Sequence, residues 1–582
     1  MNVTYQNGSI VAAGKYHETA FYDMANERIS VIADGKGGLS RYRLTNRSED
    51  FIPSFLSLDL CFGGERLSPY LSKKVEMIGR MQKVILTTKQ GELNVTTFLA
   101  KEVNGVFFLL EGAAPIDLCL NCRGAKSESV ANTLCVAGEN FMLSSSAEGE
   151  WVKENDCFYT SAEGKIKLLL SFACDQEEHN AAFAAFDELY QCALSETKMP
   201  IPSSVTSEEE KAMYLSAYFT AIENYKKAGE FRAFAAGVNY TDPLRTYYRD
   251  SYFTVLPLLT THPEMVRNEL LTLARGVGKD GSCPSAVKSD FTLFWGDHYD
   301  SPCFFILEVY DYIHATGDNG ILTEQVDGVS ILTLIKTILK RLTSMTDQQG
   351  LLYKEGAYNK RDWADEVNRS GYVTFVEVLY YRALVVASRL FSDDPTESSL
   401  YQKQAELVKK AINDILFDEE KGYYLNYKST EQIEDNLSAD TLFALLFGVA
   451  DGERAKRVLD NMESLLESKN NSEQGGGDFG VMCVYPPYKL PKSTCHKSSR
   501  LYDYHNGANW CYLTAMYAYA KSLYGRDWRS PLLSTFRYMT QNGHYTPLEY
   551  FSPACPAGSA LQGWSAAIAF VWQHVGENNF FE

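Results

Sequence analysis

The sequence lacks any uncharged apolar run of about 18 residues or more, the length that a membrane-spanning helix requires. Its first residues, MNVTYQNGSIV, also lack the basic stretch followed by an apolar stretch that marks a secretory signal. We therefore expect no membrane partner and a cytoplasmic location.

The chain is also poor in positive charge. Lys plus Arg number 55 against 74 Asp plus Glu, a formal net charge of −19 over 582 residues. A field of that sign repels phosphate backbones, so we expect no nucleic-acid partner. The 13 cysteines are scattered, and their one close pair, Cys119 and Cys122, has no second pair or nearby His to complete a zinc site. We therefore predict reduced thiols and no metal site.

Apolar residues alternate with a period of two in the first part of the chain. Residues 84–88 and 93–99 alternate around a Lys-Gln-Gly-Glu turn, and Asn104-Gly105 supplies a second hairpin turn. This pattern predicts an antiparallel β-sandwich over residues 1–178. An Ala-rich helical segment and a Pro-containing linker follow over residues 179–206.

From residue 207 the period changes to 3.6. Ser207 and Glu210 form a capping-box pattern, and Pro263 begins another helix. Further helices are predicted to begin near Ser301, Ser330, Tyr372, Glu397, Asp440, Glu453, Asn509 and Trp564. Residues 207–582 hold about twelve helices at roughly 30 residues each, the number that closes a ring of six hairpins. The expected fold is that of a multidomain α and β protein, with an N-terminal antiparallel β-sandwich followed by a large (α/α)6 toroid. The sequence does not indicate the oligomeric state.

Charged, amide and aromatic residues gather where the predicted helices begin. In FAAGVNYTDPLRTYYRDSYF, Arg249 and Asp250 form either a surface salt bridge or part of a cleft. In FWGDHYDSPCFF, Asp300 either caps the next helix or joins Trp295 in facing a ligand. The residues alone leave both alternatives open.

A third segment, KRDWADEVNRSGYVTFVEV, crowds Asp362, Asp365 and Glu366 around Trp363. A carboxyl group beside other carboxylates and an indole can have a raised pKa, which a general acid working near neutrality needs. The alternative is a solvated charge run with one stacking Trp. Glu377 lies inside the apolar helix that follows and faces either solvent or the cleft.

Two more segments complete the candidate set. DYHNGANW presents His505 and Asn506 in a turn before a helix, as caps or as ligand-binding groups. YTPLEYFSPACPAGSALQGWSAA places Glu549 in a loop before Trp564. Two carboxylates flanked by aromatics, Asp365 and Glu549, are the minimal equipment for glycoside hydrolysis.

Together these segments, over roughly residues 205 to 580, resemble the glucosidase domain of the glycogen-debranching enzymes, the amylo-α-1,6-glucosidases. More distantly they resemble the processing α-glucosidase I family; both families are (α/α)6 toroids. The resemblance implies that DWADE carries the general acid at Asp365 and that PLEYF carries the general base at Glu549. We expect the sugar to be bound by Arg249, Asp250, Trp295, Asp300, Trp363, Glu377, His505, Asn506 and Trp564.

The prediction is an inverting, exo-acting α-glucosidase that releases glucose from α-linked oligosaccharides or glucosides, through an α-1,6 or related linkage and without a cofactor. One alternative is an inverting disaccharide phosphorylase of the cellobiose phosphorylase type, in which phosphate replaces the activated water. The other is a non-catalytic carbohydrate-binding toroid. Glu549 favours hydrolysis, whereas a basic pocket around Arg500 and His505 would favour phosphorolysis.

Overall fold

The computed structural model describes residues 1–46, 56–122, 126–130, 133–137, 141–147, 151–155, 157–354, 362–475, 477–488, 494–552 and 555–582. The chain divides into two compact units. The first comprises residues 1–228, 241–243 and 539–547, and the second residues 229–240, 244–538 and 548–582. The domain boundaries that the sequence predicts near residues 178 and 206 stay predictions.

The first unit is rich in antiparallel sheet. Its strands are β1 (Asn2–Gln6), β2 (Ser9–Lys15), β3 (Tyr22–Ala25), β4 (Ile29–Ala33), β5 (Leu39–Leu44), β6 (Leu56–Phe62), β7 (Glu65–Arg66), β8 (Ser72–Ile78), β9 (Met81–Thr88), β10 (Gly91–Phe98), β11 (Gly105–Cys122), β12 (Lys126–Val130), β13 (Thr133–Ala137), β14 (Phe141–Ser145), β15 (Val152–Glu154) and β16 (Cys157–Phe172). In the described residues a long sheet runs in the order β1-β2-β8-β9-β10-β11-β16-β14-β13-β12, and β3-β4-β5 form a second sheet. The predicted hairpin is confirmed, since Thr88 pairs with Gly91 at the turn between β9 and β10.

Aromatic residues fill the core on both faces of the long sheet. Tyr42 of the second sheet stacks on Phe172 of the long sheet at 3.8 Å between ring centroids, which is one contact between the two sheets. Phe98 and Phe107 are fully buried against Phe186. Phe186 begins the second of three helices, which are α1 (Gln176–Ala184), α2 (Phe186–Glu196) and α3 (Glu208–Glu223).

Helices dominate the rest of the chain. They are α4 (Tyr248–Val255), α5 (Pro263–Ala274), α6 (Ser301–Thr316), α7 (Ile331–Ser344), α8 (Thr374–Leu390), α9 (Pro395–Ile415), α10 (Phe443–Leu446), α11 (Gly452–Leu465), α12 (Cys511–Leu523), α13 (Arg529–Gln541) and α14 (Ala567–His574). With α3, the described residues from 208 to 574 contain twelve α-helices, the predicted number. The capping box is confirmed, because Ser207 and Glu210 each accept a hydrogen bond from the other's backbone N–H.

Short strands of two to four residues lie between these helices, where the sequence predicts none. They are β17 (Tyr225–Ala228), β18 (Phe231–Phe234), β19 (Arg245–Tyr247), β20 (Ala286–Lys288), β21 (Leu293–Phe294), β22 (Gln325–Val326), β23 (Val329–Ser330), β24 (Tyr372–Val373), β25 (Phe417–Asp418), β26 (Tyr423–Tyr424), β27 (Tyr427–Lys428), β28 (Ile433–Glu434), β29 (Leu437–Ser438), β30 (Val484–Tyr485), β31 (Asn509–Trp510), β32 (Tyr550–Ser552) and β33 (Cys555–Ala557). A strand of two or three residues contains too few side chains for a period-two pattern to be detected.

Among the described residues, no helix combines the length and the apolar character that crossing a membrane would require.

Candidate active site

A cavity of about 240 Å³ in the second unit brings together eight of the eleven predicted site residues. These eight are Arg249, Asp250, Trp295, Trp363, Asp365, His505, Glu549 and Trp564. The other described lining residues are Tyr240, Arg245, Tyr247, Ser285, Phe294, His298, Asp362, Glu366 and Tyr504. Residues more than 300 positions apart in the chain therefore share one cavity.

The segment that carries Asp365 is anchored by a buried carboxylate three residues earlier. Asp362 accepts hydrogen bonds from Lys354 Nζ at 2.5 Å, from Arg369 Nη2 at 2.7 Å and from the Ala364 N–H at 2.9 Å. Burial opposes ionisation here, but the charges of Arg369 and Lys354 outweigh it and hold the pKa of Asp362 far below its ordinary value. Asp362 is therefore a permanent anion that fixes the segment.

The indole of Trp363 is held by the same buried network. Its Nε1–H donates to Asp440 Oδ2 at 2.7 Å, and Arg369 Nη1 donates to the same oxygen at 2.6 Å. The ring edge meets His505 at 5.0 Å and Trp510 at 5.5 Å between centroids. Asp362 and Trp363 are therefore not part of a solvated charge run, because they are at most 3% exposed; Lys360 and Arg361 of that run lie outside the described residues.

Asp365 lies beside a neutral histidine. His505 Nδ1 is 3.7 Å from Asp365 Oδ1 and accepts the backbone N–H of Glu366 at 3.4 Å. Burial, followed by the charges of Arg369 and Arg249, holds the pKa of His505 well below its ordinary value. The ring proton therefore lies on Nε2, and the contact with Asp365 is not an ion pair.

Glu549 is buried and receives neutral hydrogen-bond donors. Tyr240 donates its hydroxyl to Oε1 at 3.0 Å, and the Ser559 N–H donates to Oε2 at 3.1 Å. Burial raises the pKa of Glu549, while the Ser559 N–H and the Tyr240 hydroxyl oppose that shift. The strand pairing of Trp510 with Tyr550 places Glu549 in this position, directly before β32.

Arg249 and Asp250 form the first turn of α4 and are buried rather than on the surface. Arg249 Nη1 donates to Asp300 Oδ2 at 3.0 Å, and its Nη2 lies 3.4 Å from Asp250 Oδ2. The guanidinium also lies over the Trp564 ring, with Cζ 5.6 Å from the centroid. Burial raises the pKa of Asp250 to about 6 although Arg249 opposes the shift.

Three predicted residues do not line the described cavity wall. Asp300 does not cap α6 with its side chain; it is fully buried behind Arg249. Asn506 Oδ1 accepts the Tyr488 N–H at 2.7 Å and stabilises the loop. Glu377 is fully buried and accepts the Leu352 N–H at 3.0 Å, so it faces neither solvent nor the cavity.

Several lining residues were not predicted from the sequence, although they lie inside the predicted site segments. Arg245 stacks on Phe294 at 4.6 Å, and Tyr240 meets Tyr247 edge-on at 5.9 Å. These residues lie on or beside β19 and β21, which pair through β20. The alternation of Arg245 and Tyr247 is the one sequence pattern that could have indicated strand β19. A pattern of three residues is too short to distinguish a strand from a loop.

The sequence from Glu467 to Tyr504 is rich in glycine and aromatic residues and is long for a connection between helices, which predicts a segment that borders the cleft without a role in the core. Among its described residues, Tyr504 alone lines the cavity. Residues 479–484 are all buried, and the Phe479 ring stacks on the Tyr538 ring at 3.8 Å between centroids. The described residues 479–484 therefore contribute to the core, whereas residues such as 469, 470, 472, 473 and 499–501 are exposed.

Comparison with solved structures shows the fold of the chain. A bacterial glucoamylase solved in complex with acarbose is similar over 98% of this chain and 98% of its own, with a TM-score of 0.63 and 12% identity. A rhamnosidase from Klebsiella oxytoca solved with rhamnose bound is similar over 96% of both chains, with a TM-score of 0.51 and 13% identity. At these identities the similarity shows the fold alone, an N-terminal antiparallel β-sandwich with an (α/α)6 helical domain, as predicted.

The fold is thus shared with glycoside hydrolases of the (α/α)6 type. A family model described as Amylo-alpha-1,6-glucosidase matches residues 222–570, more than half of the chain. The chain belongs to this family and is a glycoside hydrolase. A comparison with curated protein sequences finds no match.

Proposed function

We propose that the protein is an inverting, exo-acting α-glucosidase that releases glucose from α-linked oligosaccharides or glucosides, through an α-1,6 or related linkage. The observation that carries the proposal is the presence of Asp365 and Glu549 in one cavity, in different environments. Glycoside hydrolysis needs two carboxyl groups with distinct proton-transfer roles, and different surroundings are what separate such roles.

Asp365 is the proposed general acid, which protonates the glycosidic oxygen of the leaving group. Glu549 is the proposed general base, which takes a proton from a water that attacks the anomeric carbon from the opposite face of the sugar. The Tyr240 hydroxyl and the Ser559 N–H stabilise the ionised form of Glu549 that this step needs.

The proposed sugar subsite consists of the polar pair Arg249 and Asp250 with the aromatic walls Trp295, Trp363 and Trp564. A cavity of about 240 Å³ is smaller than the roughly 300–1,000 Å³ of typical ligand pockets, which suits a single sugar ring and supports exo action. We leave Glu377 and Asn506 out of this set because their oxygens accept backbone N–H groups away from the cavity.

His505 and Arg500 are the two residues whose positive charge would favour phosphate as the nucleophile. His505 is neutral, and Arg500 pairs with Asp503 at 2.7 Å with its side chain 73% exposed. The basic pocket that would favour phosphorolysis is therefore not formed by these two residues.

A larger cavity of about 570 Å³ lies in the first unit. Its described lining includes a single carboxylate, Glu76, together with Lys83, Lys198 and Lys211. It offers no pair of carboxyl groups among its described residues, so we assign the reaction to the second unit.

The test is turnover of isomalto- and malto-oligosaccharides by Asp365→Asn and Glu549→Gln variants, followed by NMR of the first product anomer. We expect wild type to release β-glucose from an α-linked substrate, and each variant to lose a factor of about 10² to 10⁴ in kcat. Azide should partly restore turnover in Glu549→Gln alone, because it needs no base.

Glu377→Gln is the matched control, since burial raises the pKa of Glu377 well above its ordinary value and the amide replaces a group that is already neutral. This variant should keep wild-type kcat. Initial release of α-glucose would contradict inversion, and dependence of turnover on added phosphate would favour a phosphorylase.

A further inference from the structure

A histidine that the sequence analysis did not select lines the candidate site. His298 belongs to the cavity wall and is 3% exposed. Its Nδ1 lies 3.3 Å from Asp300 Oδ1. Its Nε2 is fully buried and has no hydrogen-bond partner among the described residues.

Asp300 determines which ring nitrogen of His298 carries a proton. Although burial acts against ionisation, the charge of Arg249 and the hydrogen bond from His298 hold the pKa of Asp300 below its ordinary value. An ionised carboxylate only accepts hydrogen bonds, so His298 Nδ1 must be the donor. In the neutral ring Nε2 then carries the lone pair.

Asp300 also joins His298 to Arg249, because its two oxygens bind different partners. Oδ1 faces His298, and Oδ2 accepts Arg249 Nη1 at 3.0 Å. Both partners line the cavity, whereas Asp300 does not. Asp300 is therefore a positioning residue that aligns two groups in the wall rather than a direct ligand of the sugar.

The backbone around His298 is held by several contacts, and the ring is held by the contact of Nδ1 with Asp300. The His298 N–H donates to the Cys283 carbonyl and the Ser285 N–H to the Trp295 carbonyl, both at 2.8 Å. Arg341 Nη2 pairs with Asp297 Oδ2 at 3.0 Å. A fixed acceptor discriminates between ligands better than a mobile one, because little rotamer entropy is lost on binding.

We infer that His298 Nε2 accepts a hydrogen bond from one ring hydroxyl of the sugar and makes recognition of that hydroxyl a determinant of specificity. This inference rests on the proposed function, in that the ligand is a hexose bound beside Arg249. A buried acceptor left unpaired disfavours any sugar that lacks the matching hydroxyl.

The experiment compares His298→Asn with His298→Gln in the full-length protein. The Asn amide can replace Nδ1 and keep the bond to Asp300 while leaving nothing at the position of Nε2. The Gln amide can place its oxygen near Nε2 and keep the acceptor. Calorimetry then measures the binding of glucose and of its 2-, 3-, 4- and 6-deoxy analogues, which requires no turnover.

We expect wild type to bind one of the deoxy analogues about tenfold more weakly than glucose because of the missing hydroxyl. In His298→Asn that particular penalty should disappear while the penalties for the other analogues remain, and His298→Gln should recover part of it. With a cleavable glucoside, His298→Asn should raise KM more than it lowers kcat.

Equal penalties in wild type and His298→Asn, with both proteins folded by thermal melt, would overturn the inference and leave the proposed function intact. Binding that changes as expected in a protein without hydrolytic activity would support the inference and contradict the proposed function. If wild type binds neither glucose nor any analogue, both fail.

Discussion

The two segments that carry the proposed acid and base are held in the cavity by different forces. The segment 362–369 is fixed by buried ions, with Asp362 and Asp440 facing Lys354 and Arg369. On the base side, Glu549 is held by neutral groups, namely the Tyr240 hydroxyl and the backbone N–H and carbonyl of Ser559.

The difference corresponds to the two chemical tasks. Two anions and two cations cancel in the first network, so it anchors the loop without adding net charge next to Asp365. At Glu549 the direct hydrogen-bond donors are neutral; they orient the carboxylate and oppose the effect of burial on its pKa, with a smaller contribution in the same direction from the charge of Lys497. Rigidity on the acid side is therefore electrostatic, and on the base side it depends on hydrogen bonds and close packing.

The largest effect should come from removing the central cation of the first network. Arg369→Met leaves Asp362 with one cation, Lys354, and Asp440 with none, both carboxylates being buried, and should reduce the free energy of unfolding by about 3–5 kcal/mol. Chemical denaturation measures this loss. Lys410→Met, in the exposed ion pair with Asp414, is the control and should change stability by less than about 0.5 kcal/mol. Equal effects would mean that burial of the ions is unimportant.

A second substitution tests close packing on the base side. Gly558 has φ +83°, and a Cβ there would lie 2.6 Å from Glu549 Cβ and 3.0 Å from its Oε2. Gly558→Ala should displace the carboxylate and lower kcat/KM by about 10²-fold, the effect of a misplacement near 1 Å.

Gly576→Ala is the matched control for that substitution. Gly576 has φ +86° but nothing within 4 Å of the added Cβ, so it carries the same backbone cost of roughly 1 kcal/mol without the clash. It should melt at a lower temperature and keep kcat/KM. Equal activity losses in both variants would refute a steric role for Gly558.

The smallest of these effects concerns the hydroxyl on Glu549. Tyr240→Phe removes a donor that favours the carboxylate, so the pKa of Glu549 should rise further. Because the base acts when deprotonated, the acidic limb of the kcat/KM profile should move to higher pH. Activity should fall about tenfold on that limb and less above it.

Tyr424→Phe serves as the control, since that hydroxyl donates to Asn413 outside the cavity lining. Its pH profile should match wild type. If the acidic limb of Tyr240→Phe is not shifted, the Tyr240 hydroxyl does not affect the pKa of Glu549.

Much of the architecture could be predicted from sequence because its signals are local. The change of period from two to 3.6 separates the sheet-rich part from the helical part, and the capping box at Ser207 marks a helix start. Each of the eight further predicted starts lies within three residues of an observed helix. The segments around Arg249, Asp365 and Glu549 were also recognisable, since their composition departs from that of the flanking helices.

Which side chains of those segments meet was decided by tertiary structure. Glu377 satisfies a backbone N–H in the core, Asp300 aligns Arg249 and His298, and Tyr240 reaches Glu549 across 309 positions. A helical period specifies one buried face, but it carries no information about loops or two-residue strands. The side chains of the site are placed by pairings between distant parts of the chain, such as Trp510 with Tyr550, and such pairings leave no local pattern in the sequence.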